Sequence, residues 1–193
     1  MDTPAAERLR LTEIFLSVQG EARSVGWPTV FVRLTGCPLR CQYCDTAYAF
    51  HGGEPLAQKR CLLLLEKLCD AGYDVSLETS GAMDIAGVDP RVSRVLDLKT
   101  PGSKEMHRNL LDNIPLLTPH DQVKFVICDR ADYDWAKAML AEHKLADRCD
   151  VLFSPSQGQQ SPAELADWLL ADKLPVRFQL QLHKVLWGDV AGK

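Results

Sequence analysis

The sequence predicts an α/β fold with a parallel sheet, either open or curled into part of a barrel. Short runs rich in β-branched or aromatic residues alternate along the chain with longer stretches of helical periodicity. The length of 193 residues is that of one domain, and no loop is long enough to be a domain linker. We therefore expect residues 1–193 to form a single domain with a short C-terminal tail and with its functional residues at the carboxyl ends of the strands.

Seven strands are expected, at residues 12–16, 29–35, 74–78, 94–98, 122–127, 151–153 and 177–182. The first of three helices has Leu62, Leu65, Leu68 and Cys69 on one face and stops at Gly72. The second covers residues 131–145. The third follows Ser161, which is predicted to cap it, with Pro162 in the first turn and Glu164 completing a capping box. Five charged residues of the second helix are assigned to its solvated face: Asp132, Asp134, Lys137, Glu142 and Lys144.

The composition narrows the classes of function. The chain has 22 Lys and Arg residues against 26 Asp and Glu residues, a formal net charge of -4, which argues against a surface that holds nucleic acid by its phosphates. The longest apolar run, near Leu62 to Leu65, is far below the roughly 18 residues of a membrane span. The first ten residues lack the apolar core of an export signal, so we expect a cytoplasmic protein. Thiols stay reduced there, and the seven cysteines therefore indicate metal or catalytic use.

Three of the seven cysteines lie within eight positions, as Cys37, Cys41 and Cys44, after a predicted strand and Gly36. A loop this short can turn three sulfurs toward one point. Iron–sulfur cubanes are commonly held by four thiolates, so three thiolates leave one iron open to a further ligand. The spacing therefore favours a cluster with an open coordination position.

The cysteines also allow a second interpretation. Structural zinc needs four closed ligands, and His51, Cys61 or Cys69 could supply the fourth, which would make the chain a zinc-stabilised binding module. Otherwise Cys61, Cys69, Cys128 and Cys149 are expected to be structural, and Cys149 is the one expected nearest to solvent.

The Cys-x3-Cys-x2-Cys spacing resembles the signature of radical S-adenosylmethionine enzymes, in which the cofactor binds the open iron and is cleaved to a 5'-deoxyadenosyl radical. Residues Gly52-Gly53-Glu54-Pro55 resemble the Gly-Gly-Glu element of the same enzymes, which receives the amino group of the cofactor. Further segments resemble the 7-carboxy-7-deazaguanine synthase family in the same order, over nearly the whole chain. They run from Phe15 to Glu21, Phe31 to Cys37, Cys44 to Thr46, Leu77 to Gly81, Asp97 to Lys99, Val123 to Phe125, Phe153 to Pro155 and Gln181 to Lys184.

This resemblance implies a radical S-adenosylmethionine lyase with a [4Fe-4S] cluster, S-adenosyl-L-methionine and Mg2+ as cofactors. Such enzymes convert 6-carboxy-5,6,7,8-tetrahydropterin to 7-carboxy-7-deazaguanine with loss of ammonia, an early step toward queuosine in tRNA. The resemblance also implies a homodimer and a reductant protein such as a flavodoxin, without direct contact to nucleic acid or to a membrane. An alternative enzymatic interpretation is an activating enzyme that places a glycyl radical on a partner protein.

The resemblance assigns four residues to the substrate. Arg33 alternates with its neighbours on a strand and is expected to point into the barrel mouth. Its planar guanidinium would bind the pterin carboxylate in a bidentate manner, and the alternative is a structural pair with Glu78 or Asp97. The pterin face would be contacted by three residues after the first strand, Val18, Gln19 and Gly20.

The remaining assignments concern Mg2+ and the cofactor. Thr46 resembles the threonine with which these enzymes bind Mg2+, an ion that prefers oxygen ligands and often meets the substrate as well. Asp45 could instead serve as a loop or helix cap. For Lys99 and Glu78, an internal ion pair is the alternative to a role in binding. The S-adenosylmethionine site is assigned to Gln42, Tyr43, Gly53, Glu78, Ser80, Lys99, Ser154, Pro155 and Ser156.

One departure from the family pattern lies directly after the cysteine loop. Only the seven residues from Asp45 to His51 separate Cys44 from Gly52, too few for a helix of about 11 residues and a strand of about 5 residues. The resemblance thus implies a partial (β/α)6-type barrel of the radical S-adenosylmethionine type that lacks one helix–strand segment, about 25 residues, between Cys44 and Gly53. Three explanations stay open: a true deletion, removal of the segment by engineering, or a segment that the protein has and this sequence omits. Only the third predicts a long gap between His51 and Gly52. A true deletion predicts an unpaired sheet edge beside the cofactor.

Overall fold

The computed structural model describes residues 8–44, 53–188 and 190. It contains seven strands: β1 (Leu11–Val18), β2 (Pro28–Leu34), β3 (Ser76–Thr79), β4 (Ser93–Asp97), β5 (Gln122–Ile127), β6 (Asp150–Pro155) and β7 (Arg177–Phe178). Its α-helices are α1 (Cys61–Asp70), α2 (Arg130–Glu142), α3 (Pro162–Asp172) and α4 (Leu182–Trp187). Within these ranges, no helix is long and apolar enough to cross a membrane.

The strands form two sheets. Strands β3 to β7 make a five-stranded sheet in sequence order, and all four of its pairings are parallel. This confirms the predicted α/β class with a parallel sheet. Strands β1 and β2 instead form an antiparallel hairpin in which Phe15 lies opposite Phe31 and their rings stack at 5.0 Å. The segment that joins them is shorter than the dozen or so residues that a parallel crossover needs, so the hairpin is the connection that fits.

The core lies between the parallel sheet and its helices. Strand β5 is buried along its whole length, as expected for a central parallel strand that is covered on both faces. On one face the ring of Phe153 meets Phe125 edge-on at 5.4 Å and Tyr133 of α2 at 6.0 Å. These aromatic pairs fix the position of α2 beside the carboxyl ends of β5 and β6.

Three expectations from the sequence are wrong in detail. The predicted strand at 177–182 ends at Phe178, because the chain then turns away from the sheet and the amide of Leu182 donates to the Gly20 carbonyl at 2.9 Å. Cys149 is buried with 8% exposure, since it faces the core from the turn before β6. Asp132 has 0% exposure and is not on the solvated face of α2, because it points at the loop after β4.

Residues Gly53 and Glu54 bridge the two sheets. The amide of Gly53 donates to the Leu34 carbonyl at 3.0 Å, and the amide of Glu54 donates to the Gly36 carbonyl at 3.3 Å. The buried carboxylate of Glu54 accepts from the Thr79 hydroxyl at 2.9 Å and from the Ser80 amide at 2.7 Å. In the described part of the chain, β3 forms a ladder with β4 alone. The carboxyl ends of β2 and β3 are therefore joined through Gly53 and Glu54.

Candidate active site at the carboxyl ends of the strands

The three cysteines of the loop lie close enough to influence one another electrostatically. All three are free thiols, with Cys37 and Cys41 partly buried and Cys44 exposed. Burial raises the pKa of Cys41 to about 11, the positive charge of Lys99 opposes this rise, and Asp97 and the other two thiols add to it. The Cys41 thiol is therefore protonated at neutral pH, and a bound metal would displace this proton.

The donor set of this loop fits an iron–sulfur cubane. Among the residues that the structure describes, no group of three His, Cys, Asp or Glu side chains could hold a single metal ion. In a cubane each thiolate binds a different iron, so the three sulfurs need to surround the cluster rather than converge on one atom. Cys61 packs in the hydrophobic core and Cys69 packs against it, so neither is the fourth zinc ligand that the alternative interpretation needs.

The cysteine loop rests on the loop that follows β4. The amide of Gln42 donates to the Ser103 carbonyl at 3.3 Å, and the Gln42 side chain donates to the Gly102 carbonyl. The amide of Arg40 donates to the Glu105 carboxylate at 2.7 Å. The buried side chain of Leu39 anchors the loop from below. These contacts hold the backbone between the cysteines in a fixed place.

Lys99, Asp97 and Tyr43 lie beside the thiols. The ammonium of Lys99 donates to Asp97 at 2.8 Å and lies 5.8 Å from the centre of the Tyr43 ring. Burial alone would lower the pKa of Lys99, but Asp97 and then Cys41 raise it above its ordinary value. Lys99 therefore stays charged at neutral pH. Its partner is Asp97, and not the Glu78 that the sequence analysis named as the alternative.

Several buried polar atoms at the carboxyl ends of the strands and on the cysteine loop have no hydrogen-bond partner among the described residues. They include the Asp97 Oδ1 atom, the Tyr43 hydroxyl and the Ser154 hydroxyl. Native proteins rarely leave such atoms unsatisfied, and a bound polar ligand is one way to satisfy them. Pro155 ends β6, and the amide of the buried Ser156 donates to the Ile127 carbonyl at 2.8 Å. The assigned cofactor residues of β6 thus lie at the same sheet edge as the cysteine loop.

Gly53 and Ser80 occupy the side of the site that Glu54 organises. Gly53 has a φ of +125°, which a residue with a side chain rarely adopts, and its position is exposed. The amide of Ser80 donates to Glu54, whose other oxygen accepts from the Leu56 amide at 3.0 Å. Both oxygens of Glu54 and the amide of Gly53 are thus engaged by the protein, while residue 53 itself stays exposed beside them.

The residues assigned to the pterin lie at the end of β1, where Val18 closes the ladder opposite Pro28. Gln19 is buried, and its side-chain amide donates to Glu78 at 3.3 Å. Gly20 lies against the C-terminal segment, where an added Cβ would be 2.2 Å from the Nδ1 atom of His183. A side chain at position 20 would therefore displace the tail.

A buried ion pair that no sequence pattern predicts lies near these residues. The ammonium of Lys124 contacts the carboxylate of Glu21, and both side chains are less than a tenth exposed. The other oxygen of Glu21 accepts from the Gln181 side chain at 2.9 Å. All three residues lie in segments that carry the family resemblance, but their types alone do not show that they meet.

The two carboxylates of this region differ in their electrostatics. Burial would raise the pKa of Glu21, but the charge of Lys124 and the hydrogen bonds from Lys124 and Gln181 together outweigh it, and the pKa is lowered. Burial, and then the charge of Glu21, raise the pKa of Glu78. Part of the Glu78 side chain is nevertheless exposed on β3. The pKa values of the two neighbouring carboxyl groups are thus shifted in opposite directions.

Arg33 forms its ion pair with Glu13 across the β1–β2 hairpin, a partner that the sequence analysis did not name. Its guanidinium also lies 5.5 Å from the centre of the Phe15 ring. It is partly buried on the face of the hairpin that carries Phe15 and Phe31. Thr46, together with the other predictions for residues 45–52, lies outside the described residues.

Comparison with known proteins decides the family. The chain is 42% identical to the 7-carboxy-7-deazaguanine synthase of Chlorobaculum tepidum, over 95% of this chain and 96% of that protein. It is 38% identical to the 7-carboxy-7-deazaguanine synthase of Koribacter versatilis, over 93% and 97% of the two chains. The chain belongs to the 7-carboxy-7-deazaguanine synthase family. This confirms the family predicted from the sequence, and with it a radical S-adenosylmethionine enzyme of queuosine biosynthesis.

The fold agrees with this family. The crystal structure of QueE from Escherichia coli superposes with a TM-score of 0.69 at 18% identity, over 91% of this chain and 94% of that chain. No family model matches the chain. The alignment with the Chlorobaculum tepidum synthase spans 211 positions, whereas 95% of 193 residues is about 183, so roughly 28 positions have no counterpart here. That synthase thus carries roughly 28 residues that the aligned part of this chain lacks.

Proposed function

We propose that this chain converts 6-carboxy-5,6,7,8-tetrahydropterin to 7-carboxy-7-deazaguanine with release of ammonia. The observation that carries the proposal is the position of the cysteine loop beside the Lys99–Asp97 pair, at the strand ends where buried polar atoms of the described residues have no hydrogen-bond partner. When bound, the cluster and S-adenosylmethionine supply one-electron chemistry that starts with removal of a hydrogen atom from the substrate. The fold that we propose for this purpose is a partial (β/α)6-type barrel without the segment between Cys44 and Gly53.

Cys37, Cys41 and Cys44 would hold the cluster, because they are free thiols on a loop whose backbone is anchored. Lys99 and Asp97 would orient the charged groups of S-adenosylmethionine, since the Oδ1 atom of Asp97 has no hydrogen-bond partner in the described part of the chain. The amino and carboxylate groups of a bound amino-acid ligand need such a pair of opposite charges. The other residues proposed to contact this ligand are Gln42, Tyr43, Gly53, Glu78, Ser80, Ser154, Pro155 and Ser156.

The substrate would lie between the end of β1 and the end of β3. Loss of ammonia requires that a proton reach the departing nitrogen, and Glu78, which accepts from Gln19 at 3.3 Å and has a raised pKa, is the carboxyl group that would supply it. Glu21 stays ionised beside Lys124 and would accept hydrogen bonds from ring N–H groups. Val18, Gln19 and Gly20 would contact the pterin face. Arg33 would exchange the carboxylate of Glu13 for the pterin carboxylate, which its planar guanidinium can bind in a bidentate manner.

The remaining parts of the proposal rest on the family resemblance. They are Mg2+ held by Thr46, a homodimer, a flavodoxin-type reductant and a cytoplasmic location. Mg2+ would lie where substrate oxygens complete its coordination, because this ion keeps few protein ligands.

The test is anaerobic reconstitution followed by turnover. Reduced protein with iron and sulfide is mixed with S-adenosylmethionine, Mg2+ and carboxytetrahydropterin, and mass analysis detects 7-carboxy-7-deazaguanine and ammonia. A brown, active protein supports the proposal. A colourless protein that binds zinc would favour the binding module, and cofactor cleavage without pterin turnover would favour a glycyl-radical activating enzyme.

A further inference from the structure

A buried carboxylate on α2 fastens the loop on which the cysteine loop rests. Asp132 is fully buried in the first turn of α2, and its oxygens accept three hydrogen bonds from outside the helix. One oxygen accepts from the Thr100 hydroxyl at 3.0 Å and from the Cys128 amide at 3.0 Å, and the other accepts from the Gly102 amide at 2.7 Å. Burying a carboxylate is costly unless such bonds compensate it. Asp132 therefore ties the loop after β4 to the end of β5.

The contact with Gly102 is close. A Cβ atom at Gly102 would lie 2.4 Å from an oxygen of Asp132, so only glycine lets this loop approach the carboxylate. The Thr100 hydroxyl also lies 3.0 Å from the Val126 carbonyl, which shares the single hydroxyl proton with Asp132. Groups of β5 and α2 thus hold the loop at Thr100 and Gly102. The loop cannot shift without losing several buried hydrogen bonds.

The cysteine loop in turn takes its position from this loop. Gly102 and Ser103 supply the carbonyls that bind the side chain and the amide of Gln42. Glu105, whose amide is held by the Ser103 hydroxyl at 3.0 Å, binds the amide of Arg40. Every one of these contacts is directed at the backbone or side chain of a residue between the cysteines. A movement of residues 100–103 would therefore be passed directly to Cys41 and its neighbours.

We propose that Asp132 is a positioning residue for the cysteine loop. It acts through residues 100–103 on Gln42 and so keeps Cys41 and Cys44 in the arrangement that receives the cluster, without touching the cluster, the cofactor or the substrate. The inference rests on the proposed function for the meaning of this arrangement. Its mechanical part, the link from Asp132 to residues 37–44, is a property of the protein without cluster.

The test compares Asp132→Asn with two control variants. Asparagine keeps the size of the side chain but turns an NH2 group toward either Gly102 or the Thr100 and Cys128 donors. Asp134→Asn makes the same change on an exposed residue of the same helix. Asp129→Ala removes the helix cap, which accepts from the Asp132 amide at 2.9 Å, and reports on weakening of α2 alone.

Hydrogen–deuterium exchange of the cluster-free protein is the first readout. In Asp132→Asn, amides of residues 37–44 and 100–105 should exchange about tenfold faster or more, since a buried acceptor has been lost. Iodoacetamide should alkylate Cys41 and Cys44 faster, as mapped by mass spectrometry. In the two controls both rates should stay at the wild-type value. After reconstitution, the KM for S-adenosylmethionine should rise more than the KM for the pterin.

Gly102→Ala provides a second route to the same loop with no change of charge. It should accelerate exchange of residues 37–44 as well, even if Asp132→Asn fails to fold. The proposal is overturned if the exchange of residues 37–44 is unchanged in Gly102→Ala and in any folded Asp132→Asn, or if Asp129→Ala accelerates it equally. Failure of the protein to bind a cluster would contradict the proposed function but would leave this exchange result intact, so the two failures are distinguishable.

Discussion

Replacing Lys124 by methionine should destabilise the fold strongly, because it would leave Glu21 as a buried carboxylate without its cation. Both members of the pair are less than a tenth exposed. Breaking a buried pair by removing one partner costs roughly 3 to 5 kcal/mol, a large part of the roughly 5 to 15 kcal/mol that stabilises a domain. For a chain of this size, the melting temperature should fall by about 6 to 20 °C.

The pH dependence of this loss has a definite sign. The folded pKa of Glu21 is lowered, so its ion pair stabilises the protein above its ordinary pKa of 4.5 and this stability is lost as the pH falls through the lower folded value. The pKa of Lys124 is raised, so its contribution is complete below its ordinary pKa of 10.5 and is lost at higher pH. The difference in stability between Lys124→Met and wild type should therefore be largest between these two values and should shrink in acid.

The assay is urea unfolding of the cluster-free proteins at several pH values. Lys137→Met is the matched control, because it breaks the exposed pair with Asp172 and should cost about 0 to 1 kcal/mol. The double variant Lys124→Met with Glu21→Gln should regain much of the lost stability, since no unpaired charge remains. The reasoning would be refuted if Lys124→Met cost no more than Lys137→Met, or if the double variant were less stable than Lys124→Met alone.

Three further predictions concern the site. Cys41→Ala should lose the reconstituted cluster while Cys128→Ala keeps it, as measured by bound iron and visible absorption; equal iron contents would remove Cys41 from the ligand set. Arg33→Ala should raise the KM for the pterin about tenfold or more, by loss of a charge-assisted contact, with little change in the KM for S-adenosylmethionine, and a reversed order would place Arg33 at the cofactor. Thr46→Ala should lose the stimulation of turnover by Mg2+ with the cluster spectrum intact, and undiminished stimulation would speak against Thr46 as a ligand.

Much of the fold follows from local patterns. Strand β5 has the predicted bounds, and α3 begins where the capping serine predicts it, with the Glu164 amide donating to the Ser161 hydroxyl at 3.4 Å. Glu164 does not complete the capping box, because its carboxylate accepts from Gln160 at 3.0 Å instead. Residue periodicity and capping residues therefore predict where these regular elements lie in the chain.

The errors have a common physical cause. The sequence pattern assigns Asp132 to the solvated face of α2, because charged residues are mostly exposed. Its burial depends on donors from residues 100, 102 and 128, which are distant in sequence and come together only when the sheet forms. The same holds for the pair of Lys124 with Glu21, which are 103 positions apart. Charge pairing at long range leaves no periodic trace in the sequence.

The contacts of Glu54 hold the carboxyl ends of β2 and β3 together, although no strand of the described residues lies between them. A strand between β2 and β3 would join them along their length, whereas Gly53 and Glu54 join them at the carboxyl ends alone. That end is the one that carries the cysteine loop and Ser80, so the geometry of the site depends on the joined end. The opposite end of β3 contributes no assigned residue. Loss of the intervening segment would therefore cost stability along the open edge of β3 before it disturbed the arrangement of the thiols.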